Sequence, residues 1–171
     1  MSPLLPATTT PMKTAVIVTL GVIAMICFLP MLAVVALAAG STVSPTGTVY
    51  NGPGDAHDTY AFGNCTWWVF LLRAQANDPI PNNWGNAATW ASNAAKDGYL
   101  VDQTPSVGAI MQTANSAGGI GHVAYVESVN QANGAWTISE MNVAGWDMTD
   151  ERTLPAVAAY SYNFIHDKAG L

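Results

Sequence analysis

The sequence predicts an α+β protein in which helices come first and pack on an antiparallel sheet, behind one membrane-spanning helix. Three observations carry this. Residues 15–39 (AVIVTLGVIAMICFLPMLAVVALAA) are 25 uncharged and mostly apolar positions, long enough to cross a bilayer. Residues 65–97 read as two helices, bounded by capping residues and by Gly98. After Pro105 the period changes to that of strands, separated by loops rich in Gly and Asn. Helices followed by strands, without alternation, make α+β rather than βαβ. The chain has 171 residues, half of them hydrophobic, and its excess of apolar residues is concentrated in 15–39. The roughly 130 residues that remain suffice for one domain with a real core and are too few for two.

Residues 1–14 form a short Pro/Thr-rich tail. Lys13 and the terminal amine precede the apolar run, and the next cation is Arg73, so the positive-inside rule leaves the tail in the cytoplasm and exports the domain. A signal peptide cleaved after Ala36-Leu37-Ala38 is the alternative, but the run exceeds the usual signal core and favours an uncleaved anchor. Residues 40–58, rich in Gly, Ser, Thr and Pro, read as a linker reaching at most roughly 60–70 Å. The globular domain spans 59–167.

Within that domain, Asn64 or Thr66 caps a helix over 65–76 that ends before Asn77-Asp78-Pro79. Trp67 to Leu72 make it apolar almost all round, as in a buried central helix. A second helix, 86–97, carries Ala87, Trp90, Ala91, Ala94 and Ala95. Strands are predicted at 107–113, 121–129, 135–142 and 157–165.

Beyond residue 40, four cations (Arg73, Lys96, Arg152, Lys168) stand against eleven acids, and none of the cations cluster. Such a surface cannot neutralise a run of phosphates, which excludes nucleic-acid binding.

Cys27 lies in the apolar run, so Cys65 is the one thiol of the exported domain. Such a thiol is buried and inert, paired between chains, or a nucleophile. At the first turn of a helix, the dipole and free N–H groups favour the thiolate. Of three histidines, His57 lies in the linker and His166 at the C-terminal end, where solvated side chains are expected. His122 opens a strand after Gly121, as either a satisfied core histidine or a base on a rigid mount. On strand 135–142, Trp136, Ile138, Glu140 and Asn142 share one face. A carboxylate and an amide continuing an apolar face need a partner, and His122 on the preceding strand supplies one. This constrains register. A two-residue turn at Asn133-Gly134 would put Glu140 on the face opposite His122. An odd-length connection or a bulge restores the match, and a loop of three or five residues is the expectation.

Gly63-Asn64-Cys65-Thr66-Trp67-Trp68-Val69, Trp84-Gly85-Asn86-Ala87, Val107-Gly108-Ala109-Ile110, Gly121-His122-Val123-Ala124-Tyr125-Val126 and Ser139-Glu140-Met141-Asn142 occur in the order of one family. In these five blocks the chain resembles the CHAP domain family of cysteine- and histidine-dependent amidohydrolases/peptidases, from about Tyr60 to Phe164. The resemblance implies a papain-like fold, Cys65 as nucleophile, His122 as base, Glu140 orienting the imidazole and Asn142 as an additional polar member. It implies bacterial peptidoglycan as substrate, cut either at the N-acetylmuramoyl-L-alanine amide or within the stem or cross-bridge. Asn64 stands where the family usually has Gln, so any oxyanion contact from it has one methylene less reach. Trp67 and Trp90 are expected in the core, while Trp84 or Trp146, in polar surroundings, would wall a substrate groove. Asp55 and Asp58 read as solvated linker acids, and neither a metal site nor a cofactor is expected. From a different class, the same domain would be a catalytically silent wall-binding or assembly module of a division or conjugation complex.

Overall fold

The computed structural model describes residues 47–168. The tail 1–14, the apolar segment 15–39 and the first part of the predicted linker lie outside the described residues. Among the described residues no helix is long and apolar enough to cross a membrane.

Helix α1, Cys65–Gln75, starts where expected. Asn64 sits at the N-cap with extended backbone (φ −101°), but its side chain makes no capping bond. Trp67, Val69, Phe70 and Leu71 are buried. Arg73, on the same helix, is only 1% exposed. Its fork is satisfied by the carbonyls of Asp78 (3.0 Å) and Gly108 (2.8 Å) and by Asp167 Oδ1 (2.8 Å), as a buried cation must be. The second predicted helix opens as a 3₁₀ turn, Ala87–Thr89, and continues as α2, Trp90–Lys96.

The strands are β1 Thr48–Val49, β2 Tyr99–Asp102, β3 Ile110–Thr113, β4 His122–Val129, β5 Trp136–Met141, β6 Met148–Leu154 and β7 Asn163–Lys168. They form one sheet in the order β1-β6-β5-β4-β3-β7-β2, and every pairing is antiparallel. Alternation sends neighbouring residues to two cores. Ile110, Val123 and Ile165 pack with Val69, Phe70, Trp90 and Ala94 of the helices. Met111, Ala124, Val126, Trp136, Ile138 and Phe164 pack on the other side with Ala159. Strands buried on both faces read as apolar runs, which is why β3, β4 and β5 are visible in the sequence.

Four expectations are corrected. The segment 157–165 is not one strand: Ala156–Ser161 is a 3₁₀ turn after Pro155, and only Asn163 onward is β7. Strands β2 and β6 have no counterpart among the predicted elements, because Tyr-Leu-Val-Asp is half exposed and Met-Thr-Asp-Glu-Arg-Thr-Leu carries polar residues on both faces. Part of the predicted linker belongs to the fold: Thr48 and Val49 pair with Thr149 and Met148, and the Tyr50 ring packs edge-on against Trp67 (5.7 Å) and Trp68 (5.1 Å).

The fourth concerns the β4–β5 connection, which is neither three nor five residues long but runs from 130 to 135. It is closed by the Asn130 N–H to Ala135 carbonyl and Gly134 N–H to Asn130 carbonyl bonds, each 2.7 Å. Near this loop Val129 faces Trp136 and Ser128 faces Thr137, a register that would carry His122 away from Glu140. Between Val126 and Ser128 the register shifts, so that Val126 faces Ile138 and Tyr125 faces Ser139. Glu127 is the extra residue of this bulge. Continued to the strand end, the shifted register sets His122 against Asn142 with Glu140 on the same face. The parity that the chemistry requires is therefore met by a bulge.

Candidate active site

Cys65 is the first residue of α1, partly buried, with its thiol free. The backbone turns into the helix through Gly63, at φ +82°. A Cβ there would lie 2.6 Å from Cε2 of the exposed Trp146 ring, which would have to shift, so it is the positive φ that calls for glycine two residues before Cys65. His122 begins β4, the central strand, with its side chain 12% exposed. Its Nε2 is 2.7 Å from Glu140 Oε2. The other ring nitrogen, Nδ1, is not engaged by Glu140.

Electrostatics favour an ion pair. Burial pushes the Cys65 thiol up, but the hydrogen bond and charge of His122, with the backbone N–H groups of Val123 and Thr66, bring it below its ordinary value. Burial works against a charged His122, yet its bonds to Cys65 and Glu140 and their charges prevail and raise it to about 9. Glu140 is fully buried, which alone would raise its carboxyl; hydrogen bonds and charge from His122 and Arg152 lower it instead. All three shifts run toward thiolate, imidazolium and carboxylate in a row.

Arg152 is a member of the site that the sequence reading misses. It donates from Nε to Glu140 Oε1 (2.5 Å) and from Nη2 to Oε2 (3.3 Å). Its signal is faint: an arginine in a segment with no apolar period, one of four cations beyond residue 40.

The remaining expected residues divide. Asn142, exposed and at φ +68°, bonds to Asn64 rather than to His122, its Nδ2 donating to Asn64 Oδ1 at 3.0 Å. That leaves the Nδ2 group of Asn64 free to donate. Trp146 is 61% exposed beside Gly63, at the rim of the site. Trp84 is corrected: at 1% exposure it is core, its Nε1 donating to Asp97 Oδ2 (2.8 Å) and its ring set edge-on to Trp90 and Tyr99. Trp67 and Trp90 are core as expected.

His57 is exposed and contacts Asp55. His166 is not solvated; it bridges Asp102 Oδ1 and Ser106 Oγ, each at 3.0 Å. Nor is Asp58 a solvated linker acid, since burial and the nearby charge of Asp55 raise it to about 6 against the opposing Tyr60 N–H bond. Among the described residues no group of three or more His, Cys, Asp or Glu is placed to hold a metal ion.

Comparison with known proteins identifies the family. The chain is 48% identical over 132 residues to "Probable autolysin SsaALP" of Staphylococcus aureus, covering 75% of this chain and 49% of the relative. It is 45% identical over 130 residues to "Staphylococcal secretory antigen SsaA" of the same species, covering 74% and 49%. The chain thus spans about half the length of the curated relatives it matches. Among solved structures, it superposes on the N-acetylmuramoyl-L-alanine amidase of Staphylococcus aureus with a TM-score of 0.63 and 33% identity, over 73% of this chain and 36% of that one. Residues 55–142, which hold Cys65, His122, Glu140 and Asn142, match the CHAP domain, and the chain belongs to the CHAP domain family.

Proposed function

We propose that this chain is a membrane-anchored, extracytoplasmic cysteine hydrolase that cleaves amide bonds of bacterial peptidoglycan. The observation that carries the proposal is the 2.7 Å contact of His122 with the buried Glu140, together with Cys65 at a helix N-terminus under the electrostatic influence of that same His122. Kinship with an autolysin and an amidase supports the wall as substrate and favours the muramoyl-alanine amide over a stem or cross-bridge bond.

In this reaction the Cys65 thiolate attacks the scissile carbonyl carbon. The oxyanion that forms is met by the Cys65 backbone N–H, one of the N–H groups without a partner at a helix start, and by Nδ2 of Asn64. Asn142 holds that amide in orientation through its bond to Asn64 Oδ1. Imidazolium His122 gives its proton to the departing amine, and the C–N bond breaks. The neutral imidazole then takes a proton from water, whose oxygen attacks the thioester carbon; the C–S bond breaks and releases the acid product and the thiolate beside the imidazolium. Glu140 keeps the ring oriented throughout. Trp146 at the rim offers a flat apolar surface to the substrate. Residues 15–39 would hold the domain outside the membrane with the N-terminus in the cytoplasm, raising its local concentration at the wall.

The test uses the detergent-solubilised full chain and the same chain with Cys65→Ala, each incubated with purified peptidoglycan. Mass spectrometry of Cys65-dependent products would name the bond from the new termini. If wild type released no more than the Cys65→Ala protein on several wall types, the hydrolase would be refuted; wall binding by both proteins would then favour an assembly module. Protease access to the domain in intact cells tests the anchoring.

A further inference from the structure

Taking Cys65 as the nucleophile of the hydrolase proposed above, we propose that Arg152 is the positioning residue of the site: its guanidinium fixes the Glu140 carboxylate against His122 and supplies the positive charge that sustains the thiolate. Three strands contribute side by side, β4 with His122, β5 with Glu140 and β6 with Arg152. Arg152 holds both carboxylate oxygens, through Nε to Oε1 and Nη2 to Oε2. A carboxylate held at both oxygens cannot rotate, so Oε2 stays 2.7 Å from His122 Nε2. The guanidinium is itself constrained, with its side chain only 26% exposed and Tyr162 beside it.

The charge count shows what is at stake. Behind the thiolate stand imidazolium, carboxylate and guanidinium, a net single positive charge. Without Arg152 the same row is neutral, and the thiolate would form with the imidazolium already offset by a fully buried carboxylate and no second cation behind it. The other ionisable groups facing this row do not replace it. Asp150, opposite Glu140 on β6, is an acid pushed toward its neutral form by burial and by the charge of Glu140. Tyr162 adds no cation.

The experiment measures alkylation of Cys65 by iodoacetamide across about pH 5–10, read by peptide mass so that Cys27 is counted separately. Full-length wild type, Arg152→Met and Arg152→Lys are compared, with thermal melting to confirm folding. Arg152→Met should move the midpoint of the profile upward by about one pH unit, making alkylation about tenfold slower below the midpoint. Arg152→Lys keeps the charge but not the fork. It should hold the midpoint near wild type while lowering kcat on peptidoglycan with KM unchanged. A wild-type midpoint in folded Arg152→Met overturns the role, as does wild-type kcat in Arg152→Lys, which decides the matter if the Met variant does not fold. Alkylation needs no substrate, so a chain that shows these shifts yet cuts no wall polymer would overturn the hydrolase reading alone.

Discussion

At Gly121, immediately before His122, the backbone is tightly held. Its φ is +85°, and a Cβ there would lie 2.3 Å from the backbone nitrogen of Ala88, 2.6 Å from its Cα and 2.8 Å from the Thr113 carbonyl oxygen. All three are backbone atoms, and the same Ala88 N–H donates to the Ile120 carbonyl at 2.8 Å. Gly121→Ala therefore carries two costs. The left-handed conformation costs about 1 kcal/mol for a residue with a Cβ, and displacing two backbone segments costs about 1–3 kcal/mol more. Gly98 isolates the first cost, since its φ is +89° and a Cβ would meet nothing within 4 Å. Gly98→Ala should thus lose about 1 kcal/mol and Gly121→Ala about 2–4 kcal/mol. For a domain of this size that corresponds to about 3–6 °C of Tm for Gly98→Ala and at least twice as much for Gly121→Ala. Melting followed by circular dichroism measures both. Because the displaced backbone carries His122, only Gly121→Ala should also slow alkylation of Cys65. Equal melting temperatures for the two variants would refute the steric reasoning.

Four further outcomes follow from the charges. Glu140→Gln keeps shape but leaves His122 and Arg152 without their shared anion; turnover should fall about 100-fold or more, with stability about 3 kcal/mol lower by chemical denaturation. Initial rates against pH should rise as Cys65 loses its proton below its usual value and fall around pH 9, where His122 ceases to be an acid. The His122 ion pair also stabilises the fold fully below the unfolded histidine value of about 6.5, and that contribution is lost as pH rises through about 9. Asp58 is raised to about 6, so the folded state holds its proton more tightly than the unfolded one and stability falls as pH rises from about 4 to 6. Asp58→Asn keeps an acceptor for the Tyr60 N–H and should gain about 1 kcal/mol at pH 7, after allowance for partial exposure, with no gain near pH 4.

Cys65, His122 and Glu140 are legible in the sequence because each stands at a position that local chemistry marks: a helix start, a strand opened by glycine, and the polar end of an apolar strand face. What is illegible depends on the ladder. Glu127 becomes the bulge because the six-residue loop sets one register while the cores on either side of β4 demand another. Arg152 is hidden because β6 meets polar neighbours on both faces and so lacks a hydrophobic period. The Asn- and Gly-rich context of Trp84 points the wrong way. Asp97 satisfies its one polar atom, so nothing prevents the ring from entering the core. The place of His166 near the chain end is equally misleading, since its partners lie in β2 and the following loop, about 60 positions away in sequence.

Strand β1 has a mechanical consequence. It is only two residues long, and among the described residues it is the one strand on the outer edge of β6, the strand carrying Arg152. Besides its two paired positions it is held by the Thr149 hydroxyl on the Thr48 carbonyl, at 2.9 Å. Tension arriving from the N-terminal side would load these few bonds one after another, as in peeling tape, and release β1 while the interior strands were still unloaded. The freed edge of β6 would then present open N–H and C=O groups next to the guanidinium that orders the carboxylate. Thr48 and Val49 would thus act as a strain-relief joint, and a domain pulled from that end would slacken at β1 before force reached Cys65.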